Sequence, residues 1–424
     1  MEVLQDTYKD TKIGKIPKDW NTLKINQIAD CYGGTTPSTV VEEYWNGDIL
    51  WATPSDITKN KSEYLLNTSR KITEQGRASK NLRFVKKNGL LMTSRASIGF
   101  LNISNGDVVT NQGFINIECK DNFHYKFFYY WVLDNRKKLL SLSQGSTFLE
   151  LYRKTFSKIN IPAPPLPEQQ KIAAILSTVD EQISTTDRII EKSKELKKGL
   201  MQKLFSEGIG HTEFKDTKIG RIPKDWEVKK VGDICKLQGG FAFKSSDATE
   251  SGIRWFKIAN VGVNRVKWDA ESFLPLGFEK KHPDFVLNEG DIVVAMTRPV
   301  LSGKLKICTI MKSDSGSLLN QRVGRVRLID NNDSVYYYQS FNTKRFIDSV
   351  EGELFGTDPP NISSKLFENI KIPFPPKQER TKIAAILSEV DAKIEKEQTQ
   401  KTHLQALKKG LMQQLLTGKK RVKV

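Results

Sequence analysis

Cysteine and histidine are scarce in this sequence. Its 424 residues include four of each, and Cys31, Cys119, Cys235 and Cys308 lie far apart with no CxxC pair. Disulfide scaffolds and zinc modules need closely spaced cysteines, so the sequence predicts neither. No metal site is expected in this chain, and free cysteines suit a reducing, cytoplasmic environment.

Long apolar runs are missing as well. Stretches such as residues 172–176 are far shorter than the roughly 20 apolar residues that a membrane helix needs. Residues 1–10 are polar and lack the hydrophobic stretch of a signal peptide. We therefore expect a cytoplasmic protein without membrane contact. A hydrophobic content of 38% still suffices for packed cores, and at about 100–200 residues per domain the length allows two to four domains.

Acidic residues are outnumbered by basic ones. There are 67 Lys and Arg against 49 Asp and Glu, which gives a formal charge of +18. This excess either serves solubility or indicates a polyanionic partner. Among polyanions we favour nucleic acid over a membrane surface, because dispersed Lys and Arg neutralise phosphates.

The sequence contains an internal duplication. Three segments recur almost unchanged and in the same order, about 205–211 residues apart. They are residues 9–20 (KDTKIGKIPKDW) with 215–226, residues 171–177 (KIAAILS) with 382–388, and residues 197–202 (KKGLMQ) with 408–413. Three ordered matches exceed chance, so the chain is two copies of one unit. Trp20 and Trp226 end the first matched segments, and we expect both to anchor cores.

Between the matched segments the two copies diverge into variable domains, residues 21–150 and 227–358. They share only sparse anchors: Gly33-Gly34 with Gly239-Gly240, Met92-Thr93 with Met296-Thr297, Asn111-Gln112 with Asn320-Gln321, and Gly145 with Gly356. Cys31 and Cys235 occupy roughly equivalent positions, and we expect buried packing for both. β-branched runs and amphipathic patterns predict mixed α and β structure in both domains. The clearest predicted elements are strands within 107–118 and 291–296, and one helix per copy at 125–140 and 334–350.

Each copy ends in a proline-rich stretch and then a long segment with little Pro or Gly. Proline fixes φ and removes amide donors, so helices are expected after it, at residues 168–204 and 379–416. Apolar steps of three and four are typical of a coiled-coil seam. The predicted seam positions are Ile172, Leu176, Val179, Ile183, Ile190, Leu196, Leu200 and Leu204, then Ile383, Leu387, Val390, Ile394, Leu404, Leu407, Leu411 and Leu415. The alternative is that each helix packs on its own domain's core.

Two duplicated halves should relate by a pseudo-two-fold axis, which makes the helices antiparallel and places the variable domains at opposite ends. The matched segment of the second copy follows the first helix. Symmetry therefore predicts that residues 9–20 dock near the end of the second helix, in a cyclic arrangement. We predict an α+β fold of two mixed α/β domains separated by an intramolecular antiparallel coiled coil. The expected boundaries are 1–160, 161–210, 211–371 and 372–424.

Two similar basic domains on a rigid spacer suit a two-part DNA target. Half-sites in two-fold DNA readers lie about 34–36 Å apart, within reach of helices of this length. Because the two variable domains differ in sequence, the two half-sites should differ as well. The number of base pairs between them would be fixed.

Several motifs support this interpretation. IPKDW precedes each variable domain, and GGTTP, YWNGDILWATPSDI, TNQGF and GSTF follow in the first copy, with PNIS in the second; PAPPLPEQQKIAAIL and PFPPKQERTKIAAIL lead into the helices. With these motifs the chain resembles, over nearly its whole length, the DNA-specificity subunit of Type I restriction–modification enzymes.

The resemblance implies two target-recognition domains, two helices that form an antiparallel spacer, and no catalytic centre. It also implies double-stranded DNA as a partner, together with two modification subunits that methylate adenine N6 and two ATP-dependent restriction subunits. No cofactor is expected in this chain, because S-adenosylmethionine, ATP and Mg would belong to the partner subunits.

Catalytic motifs are incomplete in the sequence. Gly303-Lys304 precedes Leu305 and has no earlier Gly at the spacing of a phosphate-binding loop. Asp358-Pro359-Pro360-Asn361 approaches the motif of an adenine amino-methyltransferase, but Asn361 replaces the aromatic residue that would stack on the base. We interpret it as loop variation.

Candidate DNA contacts follow from side-chain chemistry, because Arg pairs with guanine, Asn or Gln with adenine, and Ser, Thr, Lys or backbone amides with phosphate. In the first domain they are Gly34, Thr35, Ser94, Arg95, Ser97, Asn111, Gln112, Gly145, Ser146 and Thr147. In the second they are Gly240, Lys244, Ser245, Thr297, Arg298, Asn320, Gln321, Arg322, Gly356, Thr357, Asp358 and Asn361.

Each candidate has an alternative role. Arg95 and Arg298 could form surface ion pairs, and Asn111, Gln112 and their second copies could cap turns. Residues shared by both domains do not explain different half-sites, so base recognition is expected in the divergent loops. At the level of the whole chain, a free-standing bipartite DNA-binding regulator and a coiled-coil interaction scaffold remain alternative functions.

Overall fold

The computed structural model describes residues 8–145, 149–330, 333–354 and 359–423. The chain divides into two compact units. The first comprises Met1–Arg188 and Gln398–Val424, and the second comprises Ile189–Glu397. Each unit therefore combines one variable domain with part of each long helix. Among the described residues, no helix is long and apolar enough to cross a membrane.

The first unit contains twelve strands within its described residues: β1 (Tyr8–Thr11), β2 (Gly14–Pro17), β3 (Asn21–Lys24), β4 (Ala29–Tyr32), β5 (Trp45–Ala52), β6 (Tyr64–Leu65), β7 (Arg70–Ile72), β8 (Leu90–Thr93), β9 (Leu101–Ser104), β10 (Val108–Thr110), β11 (Phe114–Cys119) and β12 (Asn160–Ala163). Its short helices are α1 (Ile25–Ile28), α2 (Pro54–Lys59), α3 (Glu74–Ser79), α4 (Tyr125–Asp134), α5 (Arg136–Ser141) and α6 (Arg153–Phe156). The long helix α7 (Leu166–Leu204) begins in this unit and continues into the second.

The described strands of the second unit are β13 (Phe214–Thr217), β14 (Gly220–Pro223), β15 (Glu227–Lys230), β16 (Cys235–Gly239), β17 (Ile253–Phe256), β18 (Phe273–Leu274), β19 (Ile292–Ala295), β20 (Val300–Leu301), β21 (Lys304–Leu305), β22 (Ile307–Thr309), β23 (Leu318–Leu319), β24 (Val323–Leu328) and β25 (Lys371–Phe374). Its helices are α8 (Phe278–Lys281), α9 (Ser334–Phe341), α10 (Lys344–Glu353) and α11 (Ser364–Asn369), followed by the long helix α12 (Lys377–Leu415).

The two variable domains have similar sheets, with one additional strand, β6, in the larger sheet of the first domain. The first has a five-stranded sheet in the order β4-β11-β8-β9-β6 and a three-stranded sheet β10-β5-β7; the second has β16-β24-β19-β22 and β18-β17-β23. Each three-stranded sheet contains one parallel pair, in which Trp51 lies opposite Val109 and Trp255 lies opposite Leu318. The mixed α/β domains and the α+β class are thereby confirmed. The run at 107–118 contains the strands β10 and β11.

The prediction of a single helix late in each variable domain was wrong. The region contains two helices in each copy, α4 and α5 in the first and α9 and α10 in the second. In the first copy α4 ends before Asn135, whose side-chain amide donates to the carbonyl of Trp131 at 2.9 Å. In the second, Asn342 donates to the carbonyl of Tyr338 at 2.8 Å. An Asn that bonds the carbonyl four residues earlier competes with the helical amide, so it favours a break. Thr343 then caps α10 by accepting from the amide of Phe346.

The long helices are confirmed and each is 39 residues long. They begin two residues earlier than expected, at Leu166 and Lys377. Pro167 is part of α7, since proline is tolerated in a first helical turn, where no intrahelical amide bond is lost.

Within the first unit, the described helix segments run antiparallel. Asp180 pairs with Lys408 and Asp187 pairs with Lys401, both with N–O distances of 2.6 Å, so rising numbers on α7 meet falling numbers on α12. Within the second unit, Lys197 pairs with Asp391 at 2.7 Å. By sequence matching, the Asp391–Lys197 pair is the second copy of the Asp180–Lys408 pair. Equivalent Lys–Asp ion pairs thus fix the register of the two helix segments in each unit.

Two predicted seam positions were wrong. Leu196 and its copy Leu407 are exposed, with 55% and 50% of their surface accessible. The neighbouring Lys197 and Lys408 face the opposite helix instead, because each pairs with an aspartate there. The helix segments also pack on the domain cores: Ile172 and Leu176 join Met412 and Leu415 in the core of the first unit. Helix pairing and packing on the variable domain therefore occur together.

The amino-terminal segment docks beside the end of α12, as symmetry predicts. The hydroxyl of Tyr8 donates to the carbonyl of Gly418 at 3.0 Å, and Trp20 is fully buried in the first core. The indole of Trp20 donates to Glu168 at 2.9 Å, and Arg421 bonds both Glu168 and Asp19. Hydrogen bonding to Arg421 holds the pKa of Asp19 below its ordinary value.

The second unit repeats these contacts between the buried tryptophan and the helix glutamate, with one residue replaced. Trp226 is fully buried and donates to Glu379 at 2.9 Å, while His211 takes the place of Arg421, with its Nε2 3.0 Å from both Glu379 oxygens. Both tryptophans are therefore core anchors, as expected. The cyclic connection between the end of one helix and the segment before a variable domain is built in both units.

Candidate nucleic-acid interface

The two glycines predicted near DNA allow two loops to cross. The amide of Thr35 donates to the carbonyl of Thr110 at 2.9 Å, and a Cβ added at Gly34 would lie 2.0 Å from that oxygen. In the second domain a Cβ at Gly240 would lie 2.2 Å from the carbonyl oxygen of Asn320. Both glycines are required by close backbone approach. Thr35 itself lies on the crossing loop.

The Asn-Gln dipeptides sit on the crossed turns. Asn111 accepts from the amide of Gly113 at 2.9 Å, and Asn320 accepts from the amide of Gln321 at 2.8 Å. Both asparagines therefore cap their turns. The glutamines are exposed, and Gln112 accepts from the Thr36 hydroxyl at 2.6 Å. Gln321 is exposed beside the equally exposed Arg322. The exposed side chains on the second turn remain candidates for ligand contact.

A second loop crossing brings other candidates together in the first domain. The amide of Leu151 donates to the carbonyl of Ser94 at 2.9 Å, and Arg95 pairs with Glu150 at 2.9 Å. Ser94 is 2% exposed, so its side chain does not reach the surface. Ser97 is half-buried, and its carbonyl accepts from the Thr93 hydroxyl. Arg95 thus lies at the surface with its charge compensated.

The second domain repeats this crossing without the ion pair. The amide of Arg298 donates to the carbonyl of Pro360 at 2.7 Å, and the hydroxyl of Thr297 donates to Asn361 at 3.1 Å. Thr297, Arg298 and Asn361 are therefore neighbours. Arg298 is exposed and has a φ of +46°, a left-handed conformation that is uncommon outside glycine. Such strained residues cluster at functional sites.

The remaining candidates occupy other positions. Lys244 and Ser245 are exposed on a turn where the Lys244 amide donates to Asp247 at 2.8 Å. Gly145 has a φ of +119°. It follows Gln144, whose backbone forms a β-bridge with Glu150. Ser146, Thr147, Gly356, Thr357 and Asp358 lie outside the described residues.

Sequence reasoning missed one concave surface in the second domain. A cavity of about 650 Å³ is lined by Lys267, Arg298 and Lys306, with Val300 and Leu301 of the β20–β21 hairpin at its wall. Lys267 and Lys306 are half-buried. No sequence pattern brings residues 267 and 306 together, because the loop geometry alone places them side by side.

The cysteines are all free and their thiols are inert. Burial raises the pKa of each of the four to about 12, so they remain protonated at neutral pH. Cys235 is fully buried, whereas its counterpart Cys31 keeps some exposure. Among the residues that the structure describes, no three His, Cys, Asp or Glu side chains cluster as metal ligands would.

Both long helices expose the same surface near their ends. Leu196 and Leu407 are exposed leucines in identical sequence surroundings, beside a helical glycine, Gly199 or Gly410. A Cβ at either glycine would meet nothing within 4 Å. Packing within the chain does not explain a glycine here, although glycine costs a helix about 1 kcal/mol. We call Leu196 with Gly199, and Leu407 with Gly410, the helix patches.

The known proteins described below, which are similar to this chain, all belong to one family. The family model for the Type I restriction modification DNA specificity domain matches residues 17–195 and again 223–406. The MjaVIII specificity subunit of Methanocaldococcus jannaschii is 32% identical over 99% of this chain and 97% of its own length. The MjaIX specificity subunit of that organism is 32% identical over 98% and 96%. A crystal structure of the S subunit from M. genitalium has the same fold, with a TM-score of 0.59 at 16% identity over 93% of this chain and 96% of its own.

Proposed function

The chain belongs to the family of Type I restriction–modification DNA specificity subunits, and from that membership we propose that its two variable domains recognise the two unlike halves of one bipartite DNA target. The observation that carries this proposal is the repeated framework. The loop crossing at Gly34 recurs at Gly240. The crossing at Ser94, whose carbonyl accepts from the amide of Leu151, recurs at Met296, whose carbonyl accepts from the amide of Ile362 at 2.8 Å. The residues around them differ, for instance Thr35-Thr36 against Phe241-Ala242.

The charge supports DNA as the ligand. A net charge of +18 supplies the electrostatic attraction that duplex DNA requires. Residues kept in both domains cap turns or allow loops to cross, so they hold the framework. We assign base recognition to the exposed, divergent side chains on these loops, because base edges carry the sequence information.

We further propose that the long helices set the number of base pairs between the half-sites. A helix of 39 residues is about 58 Å long, which exceeds the roughly 34–36 Å between half-sites one helical turn apart. A continuous helix keeps a fixed length, whereas a flexible linker would not. The ion pairs of Asp180 with Lys408 and of Asp391 with Lys197 hold the register on which that length depends.

Exchange of one variable domain tests the assignment. Replacing residues 21–150 with the corresponding domain of another family member should change one half-site and leave the other half and the spacing unchanged. Adenine methylation is mapped across a genome in cells that express the chain with its modification subunit. Replacing residues 227–358 is the matched control and should change only the other half. A single exchange that alters both halves would contradict independent recognition.

Two other functions make different predictions in the same cells. A free-standing regulator would bind its bipartite target without conferring methylation, and a coiled-coil scaffold would not bind DNA in a salt-dependent way. Site-specific methylation that requires this chain would exclude both. We place this function in the cytoplasm, where bacterial and archaeal DNA is found.

We propose that two modification subunits assemble on the chain, one at each helix patch, and that two restriction subunits join them. Identical exposed surfaces in two copies fit one kind of partner that binds twice. An exposed leucine beside a helical glycine lets a partner helix approach closely and bury apolar surface. S-adenosylmethionine, ATP and Mg would then be held by these partners.

Single substitutions should remove the modification subunits one at a time. Leu196→Glu and Leu407→Glu should each leave a complex with one modification subunit, and the double variant should leave none, because a charge in the patch stays unpaired in the interface. Native mass spectrometry of the purified complexes counts the subunits. Leu276→Glu is the control, since Leu276 is 81% exposed and is not repeated in the other copy. Two bound subunits in the double variant would refute this assignment.

A further inference from the structure

The cavity in the second variable domain gathers positive charge from three segments. Lys267 follows a turn, Arg298 precedes the β20–β21 hairpin, and Lys306 follows it. Backbone hydrogen bonds hold each segment: Lys267 donates to Asn260 at 2.8 Å, Arg298 to Pro360 at 2.7 Å and Lys306 to Pro299 at 2.7 Å. The fold therefore fixes the backbone positions from which the three cationic side chains extend.

The ammonium group of Lys306 donates to a neutral acceptor, the carbonyl of Ile258, at 3.4 Å. Among the described residues, none of the three cations forms an ion pair, although Glu351 also lines the cavity. At the corresponding loop crossing of the first domain, by contrast, the exposed arginine Arg95 pairs with Glu150. Burial, reinforced by the charge of Lys267, lowers the pKa of Lys306. Like charges crowded at a half-buried position destabilise the free protein, and a bound anion would offset that repulsion.

We propose that this cavity binds a backbone phosphate of the DNA target beside the half-site recognised by the second variable domain. The inference rests on the proposed function and adds a site to it. Lys and Arg bind phosphate without regard to base, and the cavity is lined mainly by cationic and aliphatic side chains. Val300 and Leu301 at the wall suit the apolar face of a deoxyribose. The site therefore positions the duplex and does not select its sequence.

Substitution of the lysines has a signature that a structural role would not produce. In the complex with the modification subunit, Lys306→Gln and Lys267→Gln should each weaken binding to a target duplex and reduce the slope of log affinity against log salt by about one. The methylated sequence should stay the same. The melting temperature of the free chain should stay the same or rise, because a repulsion is removed.

Lys344→Gln is the matched control, since Lys344 is an exposed lysine of the same domain that pairs with Asp348 at 2.7 Å. It should leave the salt slope unchanged. Arg298→Asn serves as a further variant, because Asn tolerates the left-handed conformation at this position. It should lower the slope as the lysine variants do, without loss of the folded structure.

The outcomes separate this site from the proposed function. Unchanged salt slopes in Lys306→Gln and Lys267→Gln, with DNA binding intact, would overturn the phosphate site and leave bipartite recognition standing. A wild-type complex that does not bind DNA would refute the proposed function itself. Stabilisation of the free chain by ATP that Lys306→Gln abolishes, with DNA affinity unchanged, would show that the cavity takes a free nucleotide and would also overturn the assignment to DNA.

Discussion

Inserting one heptad between Arg188 and Ile189, and a second between Glu397 and Gln398, is expected to lengthen the DNA spacer by about three base pairs. Seven residues add about 10 Å to a helix, and base pairs rise about 3.4 Å each. Both points lie where the chain passes from one compact unit to the other. The recognised half-sites should stay the same, because neither variable domain is altered.

The insertion points are chosen so that the contacts within each unit survive. Asp180 with Lys408 lies wholly in the first unit, and Lys197 with Asp391 lies wholly in the second. A heptad also keeps the apolar seam on the same face of the helix. Each unit therefore retains its own register while the helices between them grow by the same length.

Mapping of methylated adenines measures the result in cells that contain the modification subunit. A heptad inserted into α7 alone is the control. It should abolish methylation, because an α12 of unchanged length does not match a longer α7 in both units. In the contrary case, the doubly extended chain assembles with its modification subunit and yet directs methylation to the original sites, or to no site at all. Either result would show that the helices do not set the number of base pairs between the half-sites.

Most of the fold features that the sequence predicted correctly followed from the internal duplication. Matched segments located both long helices, and their order implied the docking of residues 9–20 beside the end of α12. That docking is present in the contacts of Tyr8 with Gly418 and of Asp19 with Arg421, since both partners follow α12. These features follow from symmetry and apolar spacing, which a single sequence displays.

The departures have local physical causes. Asn135 and Asn342 break helices that apolar patterns alone would continue, because their amides take a helical carbonyl. Leu196 and Leu407 leave the seam because the adjacent lysines meet aspartates of the opposite helix. An apolar pattern does not weigh a side-chain hydrogen bond or an ion pair against a leucine.

The candidate interface was predictable in outline only. Arg298 and Asn361 were found from residue chemistry, and the structure brings Asn361 beside Thr297, next to Arg298. Lys267 and Lys306 were missed, because their proximity depends on how the turn before residue 267 and the β20–β21 hairpin fold together. Side-chain type indicates what can bind DNA, but the cavity depends on long-range packing.

A buried ion pair joins the second variable domain to α12. Arg380 donates to Asp333 through Nε at 2.9 Å and to the carbonyl of Pro375 at 2.7 Å. The side chains of Arg380 and Asp333 are 8% and 2% exposed. The first unit has a neutral version of this joint, in which Gln169 donates to the carbonyl of Pro164 at 2.8 Å. Sequence matching makes Gln169 the counterpart of Arg380.

Asp333→Ala should lower the stability of the second unit by about 3–5 kcal/mol, because it leaves the guanidinium of Arg380 buried without a counter-charge. Asp333→Ala combined with Arg380→Gln should recover most of that loss, since it rebuilds the neutral joint of the first unit. Gln169→Ala is the comparison in the first unit and should cost only about 1 kcal/mol. Two compact units need not unfold together, so hydrogen exchange of each unit's amides is the measurement. Equal protection in Asp333→Ala and in the double variant would show that the pair is not what holds α12 to this domain.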